Sequence, residues 1–578
     1  MSENAIGMGL GMLAIVAAWG IALVAFVGLG YAFLRWAGLE GAGEEGLLVA
    51  GWIGWALTIC GLQAWQLFHP VDLSARGLLV GLGVAGLIWN WRILIAEAHR
   101  SIRSMLPHIA IAVLLAFWMA NRAMAPEMPY DAGLYHLSTE RWLLAYPIVP
   151  GLGNLYIRFA YNSSYFLYMA AMDVEPWLYR AQHVAAYLPV LAVAVMIAWT
   201  GCSLVRNRQP AGGQALFRFA LIPAVVDRMF NSEQVGGPDL AVWALGIVVL
   251  DALVRVMLDA LQGRQALTNF ALLLTLASAA TTVKLSAAPL GIAASVVGVV
   301  SMVRLVPRSP SLPDRWASRA RMLVPSILLV AMWVLRGYVL SGYPAFPSAL
   351  GGLNVDWRVP TEFVRAEARW IMSWARDPAL PPEVVLEDWD WIGAWAKSVS
   401  SFDILAPLVV AGLLLIVAVV RRRPWSKAAR WLATAVIPPA VALSIWFITA
   451  PDPRFAGAAA WLVAACGVLL AAERWGLWKS RAFVLGMLLV AIAVGGVLQL
   501  EERITVPPGP YWGFSPLPQS TLVEEQLASG LTVLRPAQGD QCWVAPLLCT
   551  PGLLPNLSLR VAGDRSRGFR AITSSARN

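Results

Sequence analysis

A series of apolar stretches constrains this chain more than any other feature, because each is long enough, or nearly so, to cross a lipid bilayer. A spanning helix needs about 20 predominantly apolar residues. The stretches 77–91, 211–226 and 266–280 are marginal in length. Including them, we expect about fourteen transmembrane helices, near residues 6–34, 46–66, 77–91, 106–122, 183–204, 211–226, 238–257, 266–280, 282–303, 322–340, 403–420, 431–449, 455–472 and 482–499.

The composition supports the same fold class. Of the 578 residues, 59% are hydrophobic and 13% charged, against about 45–50% and about 25% in soluble domains. Mean hydropathy is +0.65 over the whole chain, so the apolar excess is general. We therefore predict an all-α polytopic membrane protein whose first partner is the lipid bilayer. A soluble enzyme, a secreted disulfide scaffold and a disordered chain are excluded.

The net charge of +9 is no sign of nucleic-acid binding in a membrane protein, and we expect no nucleic-acid partner. Basic residues of membrane proteins concentrate in cytoplasmic loops. An alternating count of the spans places the short basic loops on one side, which we expect to be the cytoplasm. These loops are residues 92–103, 206–208, 304–321, 421–430 and 474–481.

The opposite, outward side then receives the two long loops 123–182 and 341–402 and the tail 500–578. We expect three parts in the chain: N-terminal transmembrane helices, a transmembrane core carrying both loops, and the outward tail. The predicted boundaries are 1–104, 105–499 and 500–578.

Two cysteines of the tail, Cys542 and Cys549, are seven residues apart. An outward compartment in bacteria is oxidising, which favours a disulfide between them over two free thiols. A zinc site would need further Cys or His ligands, and the tail has none.

The segment Met128-Pro-Tyr-Asp131-Ala-Gly-Leu-Tyr-His136 directly follows a predicted span on the outward side. It has helical character from Asp131 onward, which places His136 and Glu140 on one face. Asp131 stands at the helix start, where a carboxylate is favoured. Two interpretations remain open: Asp131 caps the helix, or it takes part in chemistry.

A second polar pattern follows in the same loop. Asn154, Arg158 and Asn162 recur every four residues, which indicates one polar helical face. Such a face is either solvated or binds a sugar or phosphate group.

Further ionisable residues lie near the outer ends of predicted spans. Asp239 opens a span after Gly-Gly-Pro, where capping and ligand binding explain it equally well. The cations Lys284, Arg336 and Arg454 lie near outer span ends. They either grip a lipid-linked phosphate or extend toward lipid headgroups.

The loop 341–402 is rich in Trp and acidic residues, particularly over 383–391. Such a surface suits sugar stacking and hydroxyl binding. It suits equally an amphipathic helix lying on the membrane.

The loop arrangement resembles that of the GT-C superfamily, integral membrane glycosyltransferases that use polyprenyl-phosphate sugars. More closely, the chain resembles a poorly characterised group of bacterial GT-C-like membrane proteins over roughly residues 100–560. The matching motifs are Tyr-Asp131-Ala-Gly-Leu-Tyr-His136, Pro-Gly-Leu-Gly-Asn154-Leu, Thr282-Val-Lys284-Leu-Ser, Leu340-Ser-Gly-Tyr-Pro-Ala-Phe-Pro-Ser348, Asp356-Trp-Arg-Val-Pro360, Pro451-Asp-Pro-Arg454-Phe455 and Cys542-Trp-Val-Ala-Pro-Leu-Leu-Cys549.

The resemblance implies a catalytic carboxylate in the first outward loop, which maps to Asp131. Many GT-C enzymes have a second acidic residue next to this one, but the neighbours of Asp131 are Tyr130 and Ala132. In such a reaction Asp131 would either act as general base on the acceptor hydroxyl or help to hold a divalent metal, Mg or Mn, for which Asp131 and Asp239 are the candidate ligands. The donor's phosphate would contact the cations named above, with His136 and the 154–162 face assisting.

We therefore expect a glycosyltransferase of the bacterial inner membrane with its active face outward. It would move a sugar from a polyprenyl-phosphate donor to a glycan or lipid acceptor of the cell envelope. The alternatives are a transporter or flippase of a lipid-linked glycan, which would carry function on midmembrane polar residues, and a polysaccharide polymerase or ligase.

Overall fold

The computed structural model describes residues 2–39, 45–126, 128–206, 212–230, 236–262, 266–305, 313–399, 401–421, 424–503 and 512–571. The chain is mostly helical, and its strands lie near the C-terminus. The α-helices are α1 (Ser2–Trp36), α2 (Gly46–Gln66), α3 (Leu73–Trp89), α4 (Trp91–Arg122), α5 (Leu137–Ala145), α6 (Tyr165–Met172), α7 (Ala181–Val205), α8 (Gly212–Phe219), α9 (Ile222–Phe230), α10 (Pro238–Leu261), α11 (Leu267–Val283), α12 (Ala288–Leu305), α13 (Pro313–Ser341), α14 (Thr361–Trp374), α15 (Pro382–Val385), α16 (Trp391–Ser398), α17 (Ala406–Val420), α18 (Lys427–Ala433), α19 (Ile437–Thr449), α20 (Pro453–Ala456), α21 (Ala459–Trp475) and α22 (Arg481–Arg503).

Eight helical segments within the described ranges are long and apolar enough to cross a membrane. Their number supports a multi-pass membrane protein, and the expected count of fourteen spans is not matched. The eight segments are Ile6–Trp36, Gly46–Gln66, Ala181–Val205, Pro238–Leu261, Leu285–Leu305, Arg319–Ser341, Ser401–Val420 and Lys427–Thr449.

The missing spans have local causes. The stretch 211–226 divides into α8 and α9, and Pro223 is the second residue of α9, a position where its missing N–H costs little. The stretch 455–472 is interrupted at Gly457, whose φ of 56° separates α20 from α21. Four further apolar helical segments are 17 residues long: Leu73–Trp89, Leu106–Arg122, Leu267–Val283 and Arg481–Val497.

Helix α10 forms the centre of the bundle. Its most apolar 18-residue window is 100% buried, and it packs against α7, α11 and α12. The corresponding window of the segment Ser401–Val420 is only 22% buried. Apolar side chains that remain exposed on such a helix suit contact with lipid tails.

The expected division into parts does not coincide with breaks in the helices. Helix α4 runs through the boundary between residues 104 and 105, and α22 continues past residue 499 to Arg503. Parts of the basic loops, residues 207–211, 306–312 and 422–423, lie outside the described residues, as does the start of the tail at 504–511.

Loops 123–182 and 341–402 meet at one end of the bundle, which we call the loop end. Loop 123–182 carries a π-helical turn over Ala132–His136, then α5 and α6. Loop 341–402 carries α14, α15 and α16. The side-chain amide of Asn154 donates to the Trp357 carbonyl at 2.8 Å, so the loops are hydrogen-bonded to each other.

The described part of the tail, 512–571, forms a small β lobe rather than further helices. Strands β1 (Leu522–Gln526) and β2 (Thr532–Pro536) form one antiparallel hairpin. Strands β3 (Leu557–Val561) and β4 (Asp564–Ala571) form a second, with an irregularity between Leu559 and Val561. The two hairpins are not paired into one sheet.

A disulfide between Cys542 and Cys549 closes the connection between the hairpins. The lobe docks on loop 123–182 through backbone hydrogen bonds. The amides of Cys542 and Trp543 both donate to the Gly133 carbonyl, at 2.8 and 3.0 Å, and the Phe569 amide donates to Pro150 at 3.0 Å. The tail is therefore bonded to the turn that follows Asp131.

Candidate functional site

A cavity of about 750 Å³ lies at the loop end of the bundle. Its walls come from both loops, from helix ends and from the β lobe. Six of the residues expected at a functional site line it: Asp131, His136, Arg158, Asp239, Lys284 and Arg454.

Asp131 lies between two arginines. One carboxylate oxygen is 3.9 Å from Nη1 of Arg158 and the other is 3.7 Å from Nη1 of Arg454. Its side chain makes no capping hydrogen bond, and its backbone is already helical with φ −64° and ψ −18°. A capping residue normally has extended backbone, so the capping interpretation is wrong. Both distances exceed hydrogen-bond length, which leaves the oxygens free to accept from a ligand.

Arg454 is placed by the short helix α20. The Asp452 carboxylate accepts from the Arg454 amide at 2.8 Å and from its Nε at 3.3 Å. The guanidinium lies 5.0 Å from the ring centre of Trp374, within cation–π range. Burial alone would lower the pKa of Arg454, but the carboxylates of Asp452, Asp239 and Asp131 raise it. Arg454 is therefore a fixed cation on the cavity wall.

Lys284 and Asp239 form the second ion pair of the cavity. Asp239 lies in the first turn of α10, and Lys284 follows α11 in extended conformation. The Lys284 ammonium is 4.3 Å from the ring centre of Phe455, which places it beside Arg454. Two cations from distant parts of the chain thus share one wall.

The arrangement does not fit the expected divalent metal. Among the described residues, no three His, Cys, Asp or Glu side chains are grouped to hold a metal ion. The proposed ligands Asp131 and Asp239 face arginine and lysine side chains instead. These cations repel a metal ion, and we assign no chemical step to one.

Arg158 connects Asp131 to a residue that the sequence analysis missed. Its Nε is 3.7 Å from the carboxylate of Glu367, which also accepts a hydrogen bond from the Tyr161 hydroxyl. The Arg158 guanidinium stacks 4.6 Å from the ring centre of Trp370. Burial raises the pKa of Glu367, while Tyr161 and Arg158 oppose that rise.

The aromatic wall comes from a different part of loop 341–402 than expected. Trp370 and Trp374 of α14 line the cavity and stack on each other with centroids 6.2 Å apart. The acidic and aromatic stretch 383–391 lies outside the cavity lining, and its Trp389 and Trp391 stack mutually. The helical spacing of Glu367, Trp370 and Trp374 places them on one face of α14, and this pattern in the sequence could have indicated the aromatic wall.

The β lobe contributes another carboxylate that the sequence analysis missed. Asp540 lines the cavity and accepts a hydrogen bond from the Tyr130 hydroxyl, next to Asp131. This bond raises the pKa of Tyr130 to about 12. No local pattern marks Asp540, because its contact with Tyr130 spans 410 residues.

His136 is buried in the cavity wall, with 3% of its surface exposed. Its ring packs against Tyr135 and Phe166. The Gly236 backbone lies beside the ring, but neither ring nitrogen makes a hydrogen bond of good geometry within the described ranges. Burial lowers the pKa of His136 to about 4 despite the carboxylates of Asp131 and Asp239. The ring is therefore neutral at pH 7.

Three expected binding residues lie outside the cavity lining. Asn154 is buried and donates to the Trp357 carbonyl. Asn162 donates to the Trp333 carbonyl at 2.7 Å. Arg336 donates to the side-chain oxygen of Gln66. These residues connect loop segments and helices instead of facing a ligand in the large cavity.

The expected helical face at 154–162 does not form. Short 3₁₀ turns at Leu152–Asn154 and Ile157–Ala160 replace it, and Asn162 has a φ of +53°. The three polar side chains therefore point into different surroundings, and only Arg158 reaches the cavity.

Comparison with known proteins places the chain in a family without assigning an activity. No curated protein and no solved structure matches it. The sequence model of one family, described as "Domain of unknown function (DUF8201)", matches residues 12–461. This span contains every predicted site residue except the two tail cysteines, and the β lobe lies beyond it. Since the match covers most of the chain, the protein belongs to the DUF8201 family.

Proposed function

We propose that this protein is a membrane glycosyltransferase that moves a sugar from a polyprenyl-phosphate donor to an envelope glycan or lipid. The reaction would take place on the outward face of the bacterial inner membrane. One observation carries the proposal: a carboxylate without a hydrogen bond of its own among the described residues, Asp131, shares a cavity with the cations Arg454 and Lys284.

The proposed reaction needs a base and a group that stabilises the leaving phosphate. Asp131 takes the proton from an acceptor hydroxyl, whose oxygen attacks the anomeric carbon of the donor sugar. The bond between that carbon and the phosphate oxygen breaks, and its electron pair leaves with the phosphate. The phosphate charge thereby grows from about one to two negative charges, which Arg454 and Lys284 stabilise.

The other cavity walls suit the sugar ring and the prenyl chain of the donor. Trp370 and Trp374 offer aromatic faces on which a sugar ring can stack. Ala442 and Ile445 of the apolar helix α19 line the same cavity, and Ile445 is 43% exposed. An apolar wall open toward the membrane suits a prenyl chain.

Sugar transfer in proteoliposomes tests the proposal. The purified full chain is reconstituted with radiolabelled polyprenyl-phosphate hexoses and an envelope lipid and glycan extract. We expect label to move from the donor lipid to an acceptor. The matched variants are Asp131→Asn, expected to lose transfer, and Asp388→Asn, an exposed acid outside the cavity lining, expected to retain it.

The alternatives give different results in the same assay. A flippase moves the labelled lipid across the bilayer and leaves the sugar attached to it. A polymerase or ligase transfers oligosaccharide from diphosphate-linked donors and not single sugars. Label that stays on the donor lipid for every hexose and extract, or transfer that is equal in both variants, contradicts the proposal.

A further inference from the structure

Arg336 is a buried cation with little to balance its charge. It lies in the apolar segment Arg319–Ser341 of α13, and 3% of its surface is exposed. Its Nη1 donates to the neutral side chain of Gln66, and its Nε makes no hydrogen bond. Within the described part of the chain, no carboxylate lies within ion-pair distance of it. An unpaired buried charge normally costs several kcal/mol.

A small pocket of about 30 Å³ adjoins Arg336 and lies next to the large cavity, with which it shares Arg158 as a lining residue. Polar residues from three parts of the chain line it, among them Gln66, Thr139 and Arg158. The Thr139 hydroxyl is buried and has no hydrogen-bond partner among the described residues. This volume suffices for a water-sized occupant, and chloride is only slightly larger than water.

We infer that this pocket binds one small monovalent anion, for which chloride is the natural occupant. The charges around the pocket determine the sign of the occupant's charge and its magnitude. Arg158 already faces the carboxylates of Asp131 and Glu367, whereas Arg336 faces none in the described ranges. One negative charge therefore balances the pocket. Water would satisfy the hydrogen bonds and leave the charge of Arg336 uncompensated.

The anion would add to the hydrogen bonds that already connect these elements, such as those from Gln66 to the Tyr146 carbonyl and from Asn162 to the Trp333 carbonyl. Gln66 ends α2, Thr139 lies in α5, and Arg336 lies in α13. An ion held by these residues fastens loop 123–182 to two membrane helices directly behind Arg158. The inference does not depend on the proposed sugar transfer.

Halide-dependent stability tests the site. The melting temperature of the full chain in detergent is compared in sodium chloride, sodium bromide and sodium gluconate at equal ionic strength. A ligand that binds only the folded state stabilises it, so chloride and bromide should raise the melting temperature by a few degrees. Gluconate is too large to enter and should have no such effect.

Variants test whether the halide dependence of the melting temperature arises in this pocket. Arg336→Gln should lose the halide dependence, whereas Arg321→Gln, an exposed arginine of the same helix, should keep it. Thr139→Val removes one donor and should weaken the halide response several-fold even if Arg336→Gln does not fold. Line broadening of ³⁵Cl resonances by the wild type, reduced in Thr139→Val, provides an independent readout.

Two results would overturn the inference. Identical melting curves in chloride and gluconate would mean that the pocket holds only water. A halide response that is unchanged in Thr139→Val and Arg336→Gln would place the anion elsewhere on the protein.

Discussion

Two of the acidic side chains of helix α10, Asp239 and Asp251, have different surroundings. Asp239 lies in its first turn beside the cavity, and Asp251 lies twelve residues further along, about 18 Å away at 1.5 Å per residue. Around Asp251, the charges form a saturated network. Both of its oxygens accept from Arg218 at 2.9 Å, and one also accepts from Arg255 at 2.9 Å. Glu45 accepts two further bonds from Arg218, at 2.6 and 2.8 Å.

Asp239 is closely paired with Lys284, but the charges around Asp131 in the same cavity are arranged more loosely. Asp131 is 3.7 Å and 3.9 Å from its two arginines, and its side chain is 28% exposed, against 1% for Asp251 and 0% for Arg218. A charge that already has close partners on every side cannot take a ligand without breaking a bond. The comparison indicates that the network around Asp251 holds helices together, while the Asp131 carboxylate keeps capacity to accept hydrogen bonds from a ligand.

The largest effect should follow from breaking the saturated network. Arg218→Met leaves Asp251 and Glu45 with too few donors, and removal of one partner of a buried pair typically costs about 3–5 kcal/mol. We expect a loss of this size in the free energy of unfolding, measured by denaturant titration in detergent. Arg304→Met, at an exposed arginine near the end of α12, should change it by less than about 1 kcal/mol. Equal stability of the two variants would show that the network around Asp251 does not stabilise the fold.

Asp131→Asn should leave the stability of the protein nearly unchanged and lower its activity, in contrast to Arg218→Met. Asp131 makes no cap and no close ion pair, so the melting temperature should stay within about 1–2 °C of the wild type. Loss of a positioned base should lower sugar transfer about 10²-fold or more, measured in the proteoliposome assay. A variant that transfers sugar at the native rate would show that the carboxylate takes no part in the reaction.

The same contrast explains what the sequence could reveal. Asp131, Lys284 and Arg454 were predictable because each stands next to a helix end, where the hydrophobic pattern changes. Asp540 was not, because its position depends on a contact across 410 residues. Glu367 shares a helical face with Trp370 and Trp374, but its contact with Tyr161, 206 residues away, was not visible in the sequence. The i,i+4 spacing of Asp251 and Arg255, which form an ion pair in the structure, is visible in the sequence.

The membrane segments show a similar limit. Apolar composition predicted helices along most of the core, and the mostly helical structure agrees with it. Composition did not predict the breaks at Gly457 and before Pro223, because a window average conceals the backbone of one residue. The strands of the lobe also stayed unpredicted, since the lobe packs on loop 123–182, which is distant in sequence.

An intermediate effect is expected at the cationic wall of the cavity, where we propose that the donor phosphate binds. Arg454→Ala removes charge-assisted hydrogen bonds worth about 1.5–3 kcal/mol, so the dissociation constant for tritiated polyprenyl monophosphate should rise about 10- to 100-fold. Arg454→Lys keeps the charge without the planar fork, and its affinity should fall between those of Arg454→Ala and the wild type. Arg365→Ala, an exposed arginine of α14 outside the cavity lining, serves as the control. Equal affinity in all four proteins would assign Arg454 to structure alone.

The smallest effect concerns His136, a buried group of the cavity wall whose ring nitrogens lack the bonds that saturate Arg218. Burial lowers the pKa of His136 to about 4, below the ordinary value of about 6.5. Below pH 6.5 the unfolded chain therefore binds a proton at this position that the folded chain does not, and stability is lost as pH falls toward 4. Between pH 7 and pH 5.5 this loss amounts to about 1 kcal/mol.

His136→Gln should remove that loss, so the free energy of unfolding should fall less between pH 7 and pH 5.5 in the variant than in the wild type. The difference between the two proteins is the quantity to measure, because burial raises the pKa of Asp173 to about 7. That carboxyl is stabilising when protonated, so it acts in the opposite direction over the same interval and cancels in the difference. His69→Gln, at an exposed histidine, should leave the wild-type slope unchanged. If the free energy of unfolding falls equally between pH 7 and pH 5.5 in wild type and His136→Gln, the His136 ring finds a hydrogen-bond partner when the site is hydrated. The cavity wall would then be as saturated as the network around Asp251.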